Sequence, residues 1–202
     1  MIYAIYAISI ILGYLLGSIP FALVIGLVFY KTDIRKHGSG NLGGTNAGRV
    51  LGKKAGAAVI ILDALKACIP VGIISMYSQE ASIWCGLAVC VGHCYPCFAN
   101  FKGGKAAASM FGFLLAIALF TASNFIAFIL PFGCFVLCLY LTKMVSLSSM
   151  VAACMSTVSL ILIKQPTLVI VASALLAIFI IYRHRENIDR ILKGTERKIT
   201  WM

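Results

Sequence analysis

The chain has 202 residues, 61% of them hydrophobic and 11% charged, with a formal net charge of +11 and a mean hydropathy of +1.01. A soluble domain carries about a quarter charged residues, so this composition excludes one and makes lipid the solvent for most of the protein. Apolar stretches long enough to cross a hydrocarbon core of about 30 Å recur throughout, which predicts one all-α membrane domain over residues 1–202.

The first span is expected at 3–29. It contains Gly17, Ser18 and Pro20 but no basic leader and no small-residue cleavage site, so it reads as a retained helix. A polar segment follows at 31–54, with His37-Gly-Ser-Gly-Asn-Leu-Gly-Gly-Thr-Asn46 and Arg49 at its centre. Glycines interleaved with Ser39, Asn41, Thr45 and Asn46 make a backbone able to curl with its N–H groups exposed, beside side chains that donate to oxygens. This is the composition of a phosphate cradle, Gly43 included. Gly38, Gly40 and Gly43 also satisfy G-x-G-x-x-G, but no strand precedes them, and the dinucleotide match is accidental.

The second span, 55–77, holds Asp63 and Lys66 three residues apart on one helix face. Either charge alone at mid-bilayer would cost about 2.5–3.5 kcal/mol, so the two should face the interior and each other. They serve either as a neutralised structural pair or as support for a polar site. The third span, 83–98, contains His93, Cys94 and Cys97, which lack a fourth metal ligand and a thioredoxin-like context. No metal or cofactor is expected. The second polar segment, 100–106, carries Lys102-Gly103-Gly104-Lys105 ahead of a helix start, combining ammonium charge, backbone donors and the positive end of a macrodipole. Taken alone, it reads as a basic anchor before a span.

Four further spans are expected at 107–121, 125–141, 147–163 and 168–182, giving seven crossings. The stretches 83–98 and 107–121 are short, and five crossings is the main alternative. The tail, 183–202, carries His184, Asn187 and Glu196 among six basic residues. Parity brings all three polar segments to one face, where nearly all the Lys and Arg residues collect; the opposite side has Lys164 with Glu80. Positive charge marks the cytoplasmic side, which puts the N-terminus outside and the C-terminus inside.

In order along the chain, Gly17-Ser-Ile-Pro20, Gly38 to Asn46 with Arg49, Asp63-Ala-Leu-Lys66, Gly92-His93 with Pro96, Phe101 to Lys105, and His184-Arg-Glu-Asn187 resemble the bacterial acyl-phosphate:glycerol-3-phosphate acyltransferases, the PlsY family. The resemblance implies a seven-helix enzyme of the bacterial plasma membrane with its active site on the cytoplasmic face. It implies transfer of an acyl group from acyl phosphate to the 1-hydroxyl of glycerol 3-phosphate, giving lysophosphatidic acid and phosphate for phospholipid synthesis. It assigns activity to Ser39, Arg49, His184 and Asn187, glycerol 3-phosphate binding to Lys102, Gly103, Gly104 and Lys105, and a structural acid to Glu196. Ala106 departs from the family pattern, which usually has glycine there.

The partners expected are acyl phosphate, glycerol 3-phosphate, membrane lipid and a peripheral enzyme that makes acyl phosphate, with no nucleic acid. Two anionic substrates need cationic and backbone donors to hold them against their repulsion. Ser39, Asn41, Thr45 and Asn46 are expected on the acyl phosphate, and Arg49, Lys105, His184 and Asn187 on glycerol 3-phosphate. His184 can act as a base or as a hydrogen-bonding group, and Ser39 as a nucleophile is the competing mechanism. A transporter of organic phosphates is the rival reading from another class.

Overall fold

The computed structural model describes residues 2–199; Met1 and residues 200–202, the end of the polar tail, lie outside the described residues. Among the described residues every regular element is helical, and the chain divides into two units, one up to Ala116 and one from Ile117.

In the first unit, α1 (Ile2–Gly17) and α2 (Phe21–Tyr30) replace the single helix expected over 3–29. Pro20 has no N–H to donate, and its ring would crowd the carbonyl four residues back, so the helix stops before it. It restarts on the Pro20 carbonyl, which accepts from the N–H groups of Leu23 and Val24 at 2.9 and 3.0 Å. The stretch Tyr3–Tyr30 remains apolar and long enough to cross a membrane. Next come α3 (Gly44–Val50), α4 (Lys53–Ser75), α5 (Gln79–Cys94) and α6 (Ala107–Ala116), with α5 packed on α1 and α4, and α6 on α4. Where α1 meets α5, a Cβ on Gly17 would lie 2.2 Å from the Val89 carbonyl oxygen, and one on Gly92 2.3 Å from that of Tyr14. Backbones therefore touch directly, the close approach that membrane helices use where lipid supplies no hydrophobic drive.

The segment between α2 and α4 is pinned from below. Ile34 and Leu42 are 0% and 3% exposed and enter an apolar cluster with Ala22, Leu23, Ala47 and Val59. Burying a side chain of that size contributes about 1.5–3 kcal/mol. The polar residues around them are thereby held as a fixed surface.

In the second unit the run expected as helix over 107–121 ends in a π-helical turn, Ile117–Thr121, which packs against α7 (Ile126–Thr142). Then come α8 (Val145–Leu162), α9 (Thr167–Arg183) and α10 (Arg185–Leu192), with α8 between α7 and α9. Buried serines line α8: Ser148 and Ser149 donate to the carbonyls of Met144 and Val145 at 2.8 Å, and Ser156 meets Ser173 of α9 at 2.9 Å. Hydroxyls satisfied on their own helix leave it slim enough for close packing. Helices α9 and α10 meet at His184 with a bend of 59°. Large apolar side chains such as Ile61, Ile69, Leu137 and Ile178 point outward in both units, as lipid-facing helices require.

Candidate active site

In the first polar segment Asp33 accepts from the backbone N–H of Arg35 at 3.0 Å and from its guanidinium at 2.7 Å. The guanidinium bond holds the Asp33 carboxyl down to about 2. Beyond this turn (Ile34–Lys36) the chain folds around Asn46, which is 2% exposed. Asn46 Oδ1 accepts from the Ser39 N–H at 2.8 Å, and Nδ2 donates to the carbonyls of Ile34 and His37, both at 3.3 Å. Gly38 makes this possible: its φ is +63°, and a Cβ there would lie 2.3 Å from Asn46 Oδ1. The Asn46 amide is thus spent on the segment's own backbone, and it shapes the surface on which Ser39 stands exposed. The Gly43 carbonyl accepts the first bonds of α3, which carries Thr45, half-buried, and Arg49, exposed in its last turn.

The second segment meets the first through Asn41, whose Nδ2 donates to the Gly103 carbonyl at 3.4 Å. The N–H groups of Gly103 and Gly104, the expected phosphate donors, instead bond the carbonyls of Cys94 and His93 at 3.2 and 3.0 Å. A Cβ on Gly103 would lie 2.1 Å from the His93 carbonyl oxygen. The two glycines therefore seat the loop on the end of α5, leaving Lys102 exposed and Lys105 half-buried as its charged members. Ala106 is fully buried with φ +60°, a conformation that costs a non-glycine residue about 1–2 kcal/mol.

Beneath this loop lie three buried ionisable groups. Asp63 and Lys66 pair at 2.7 Å, as their spacing predicts, and His93 Nδ1 stands 3.5 Å from Asp63 Oδ1. Lys66 also donates at 3.0 Å to the Ile19 carbonyl, which lies in the α1–α2 break and accepts from the Phe21 N–H at 3.2 Å. His93 is the group that sequence reasoning left out of the site, although an ionisable residue inside an apolar span is itself a signal.

In the second unit His184, 4% exposed, holds Nδ1 at 2.8 Å from the Ile180 carbonyl. A carbonyl only accepts, so Nδ1 carries the proton, and in the neutral ring Nε2 bears the lone pair. Asn187 donates to Glu196 Oε1 at 2.7 Å, Ser146 donates to the same oxygen at 2.6 Å, and Arg190 Nε donates to Oε2 at 2.8 Å. Burial pushes the Glu196 carboxyl up, but the bonds from Ser146, Asn187 and Arg190 outweigh it and hold its pKa below the usual range. The Ile199 N–H, bonded to the Lys143 carbonyl at 2.8 Å, fastens the tail beyond this clasp. Ser146 and Arg190 were not expected in it; Ser146 is 50 residues away in sequence.

Comparison with known proteins covers almost the whole chain. A family model described as glycerol-3-phosphate acyltransferase matches residues 7–194. A glycerol-3-phosphate acyltransferase of Bacillus cytotoxicus is 49% identical over 189 residues, 93% of this chain and 92% of the relative. One of Geobacillus kaustophilus is 45% identical over 196 residues, 96% of each. Among solved structures, PlsY, an integral membrane glycerol 3-phosphate acyltransferase, matches in its glycerol 3-phosphate form with a TM-score of 0.89 and 36% identity, covering 96% of both chains. Its lysophosphatidic acid form matches with a TM-score of 0.86, covering 96% of this chain and 95% of that one. With apolar helices running through both units, this is a multi-pass membrane protein, and the chain belongs to the PlsY family of glycerol-3-phosphate acyltransferases.

Proposed function

We propose that this protein transfers a fatty acyl group from acyl phosphate to the 1-hydroxyl of glycerol 3-phosphate, releasing lysophosphatidic acid and phosphate at the cytoplasmic face of the bacterial plasma membrane. The observation that carries the reading is the meeting of two glycine segments in one unit: Asn41 bonds the Gly103 carbonyl, which joins the segment carrying Ser39 and Thr45 to the one carrying Lys102 and Lys105. Hydroxyl, amide and ammonium groups together suit phosphate oxygens.

An acyl phosphate is a mixed anhydride, already activated, and its phosphate leaves without needing a proton first. The substrate hydroxyl oxygen attacks the carbonyl carbon, the carbonyl-carbon–oxygen bond to phosphate breaks, and the hydroxyl proton goes to the departing phosphate. No acyl-enzyme is required, and Ser39 serves as a hydrogen-bond donor to acyl phosphate. In this scheme Asn41, Gly43 and Thr45 hold the acyl phosphate, and Asn46 fixes their backbone. Arg49, Lys102 and Lys105 bind glycerol 3-phosphate on a loop shaped by Gly103 and Gly104. His184, its Nδ1–H bonded to the Ile180 carbonyl, serves as a hydrogen-bonding residue for glycerol 3-phosphate and not as the base, and Asn187 is oriented by Glu196. Asp63 and Lys66 support the loop from within the bilayer. Seven crossings, an external N-terminus, one functional domain, and supply of donor by a peripheral enzyme complete the scheme.

Donor choice tests it. Purified protein given glycerol 3-phosphate and either acyl phosphate or acyl-CoA should form lysophosphatidic acid from acyl phosphate. Product from acyl-CoA alone would reject the donor assignment, and phosphate uptake into proteoliposomes without acylation would favour a transporter.

A further inference from the structure

The Asp63–Lys66 pair and His93 form a polar chain through the interior of the first unit. Lys66 ties the α1–α2 break to α4 through the Ile19 carbonyl and Asp63, and Asp63 reaches His93 on α5. The chain ends at the second glycine segment. A Cβ on Gly104 would lie 2.0 Å from His93 Nε2 and 2.9 and 3.0 Å from Cδ2 and Cε1, so the Nε2 edge of the ring lies directly against the Gly104 backbone. His93 is 6% exposed and therefore out of reach of solvent. One edge faces a carboxylate fixed by Lys66, and the other faces the loop that carries Lys102 and Lys105. A ring held on both edges cannot shift without moving the loop.

We infer that His93 is a positioning residue for glycerol 3-phosphate: held by Asp63, its imidazole sets the height and register of the Gly103–Gly104 backbone and so the placement of Lys105. The inference rests on the reading of residues 102–105 as the glycerol 3-phosphate loop. Glycine is required at 104 because the imidazole occupies the space of a side chain, and the ring is required because the bare loop would settle inward.

The test is steady-state acyl transfer by the full-length protein in nanodiscs, varying glycerol 3-phosphate at saturating long-chain acyl phosphate and then the reverse. Lys105→Ala first tests the loop itself and should raise the KM for glycerol 3-phosphate. His93→Ala and His93→Asn should raise that KM about tenfold or more while the KM for acyl phosphate stays within about twofold, the scale expected of a misplaced binding group. His93→Gln, whose amide reaches the position of Nε2, should stay within about threefold of the parent. Gly104→Ala should be severe alone yet add less than about twofold to His93→Ala, because truncation removes the clash. If His93→Ala does not fold, the contrast between the glutamine and asparagine variants carries the test.

An unchanged glycerol 3-phosphate KM in His93→Ala, an equal rise in both KM values, or a glutamine variant as impaired as the asparagine one overturns the inference. Full additivity of the two substitutions does the same. An unchanged KM in Lys105→Ala overturns the loop reading, and the inference with it.

Discussion

Asn46 governs the first glycine segment through three hydrogen bonds to backbone, and Gly38 is the residue that lets it in. Substitution of Gly38 by Ala meets both a positive φ and an oxygen 2.3 Å from the new Cβ, so the segment must move. Gly38→Ala should lower kcat/KM by about a hundredfold, the scale of a displacement near 1 Å at a positioned group, while the protein still folds and elutes as the parent does. Ala106 offers the opposite experiment. It holds φ +60°, where glycine fits without strain, so Ala106→Gly relieves about 1–2 kcal/mol, partly offset by the greater freedom of glycine in the unfolded chain. Thermal unfolding of Ala106→Gly should show a melting temperature equal to or above the parent's; a fall of several degrees would mean that the left-handed turn carries no strain.

The elements differ in how much of them could be read from the chain alone. The apolar helices follow from composition, because lipid demands long apolar runs with every backbone group bonded internally. The Asp63–Lys66 pair is equally legible, since residues three apart on a helix must meet. The break at Pro20 is written in the sequence, but mean hydropathy smooths over a gap of three residues. Two features are tertiary and leave no local trace. The N–H groups of Gly103 and Gly104 are spent on the end of α5, and Glu196 takes a partner from α8, 50 residues earlier.

That clasp joins α8, α10 and the tail, and it predicts a pH dependence. The folded Glu196 carboxyl titrates below its unfolded value of about 4.3, so its contribution is complete above that pH and is lost as pH falls through the lower folded value. Hydrogen-exchange protection across residues 193–199, relative to the free-peptide rate at each pH, should be high at pH 7 and fall at low pH before that of the second unit's helices. Glu196→Gln should show fast exchange already at pH 7. Equal exchange in both proteins would deny the clasp its role.

At the scale of the whole molecule, the chemistry asks little of the protein beyond bringing two anions together in a partly dry place. In the proposed reaction the donor is activated, its leaving group is stable, and proximity alone can supply about 7–11 kcal/mol of the barrier in favourable cases. A membrane enzyme can meet that demand with loops seated on helix ends, and the first unit has two such segments joined by Asn41 and Gly103. In the proposed reaction the acyl group passes directly from acyl phosphate to glycerol 3-phosphate. Purified protein supplied with phosphorus-labelled acyl phosphate and carbon-labelled glycerol 3-phosphate, without coenzyme A, tests it by counting both products in one reaction. Direct transfer releases one labelled phosphate for each lysophosphatidic acid formed, with no acyl group retained on Ser39. Phosphate release without lysophosphatidic acid, or an acyl-enzyme that forms before glycerol 3-phosphate is added and then transfers to it, would rule out direct transfer.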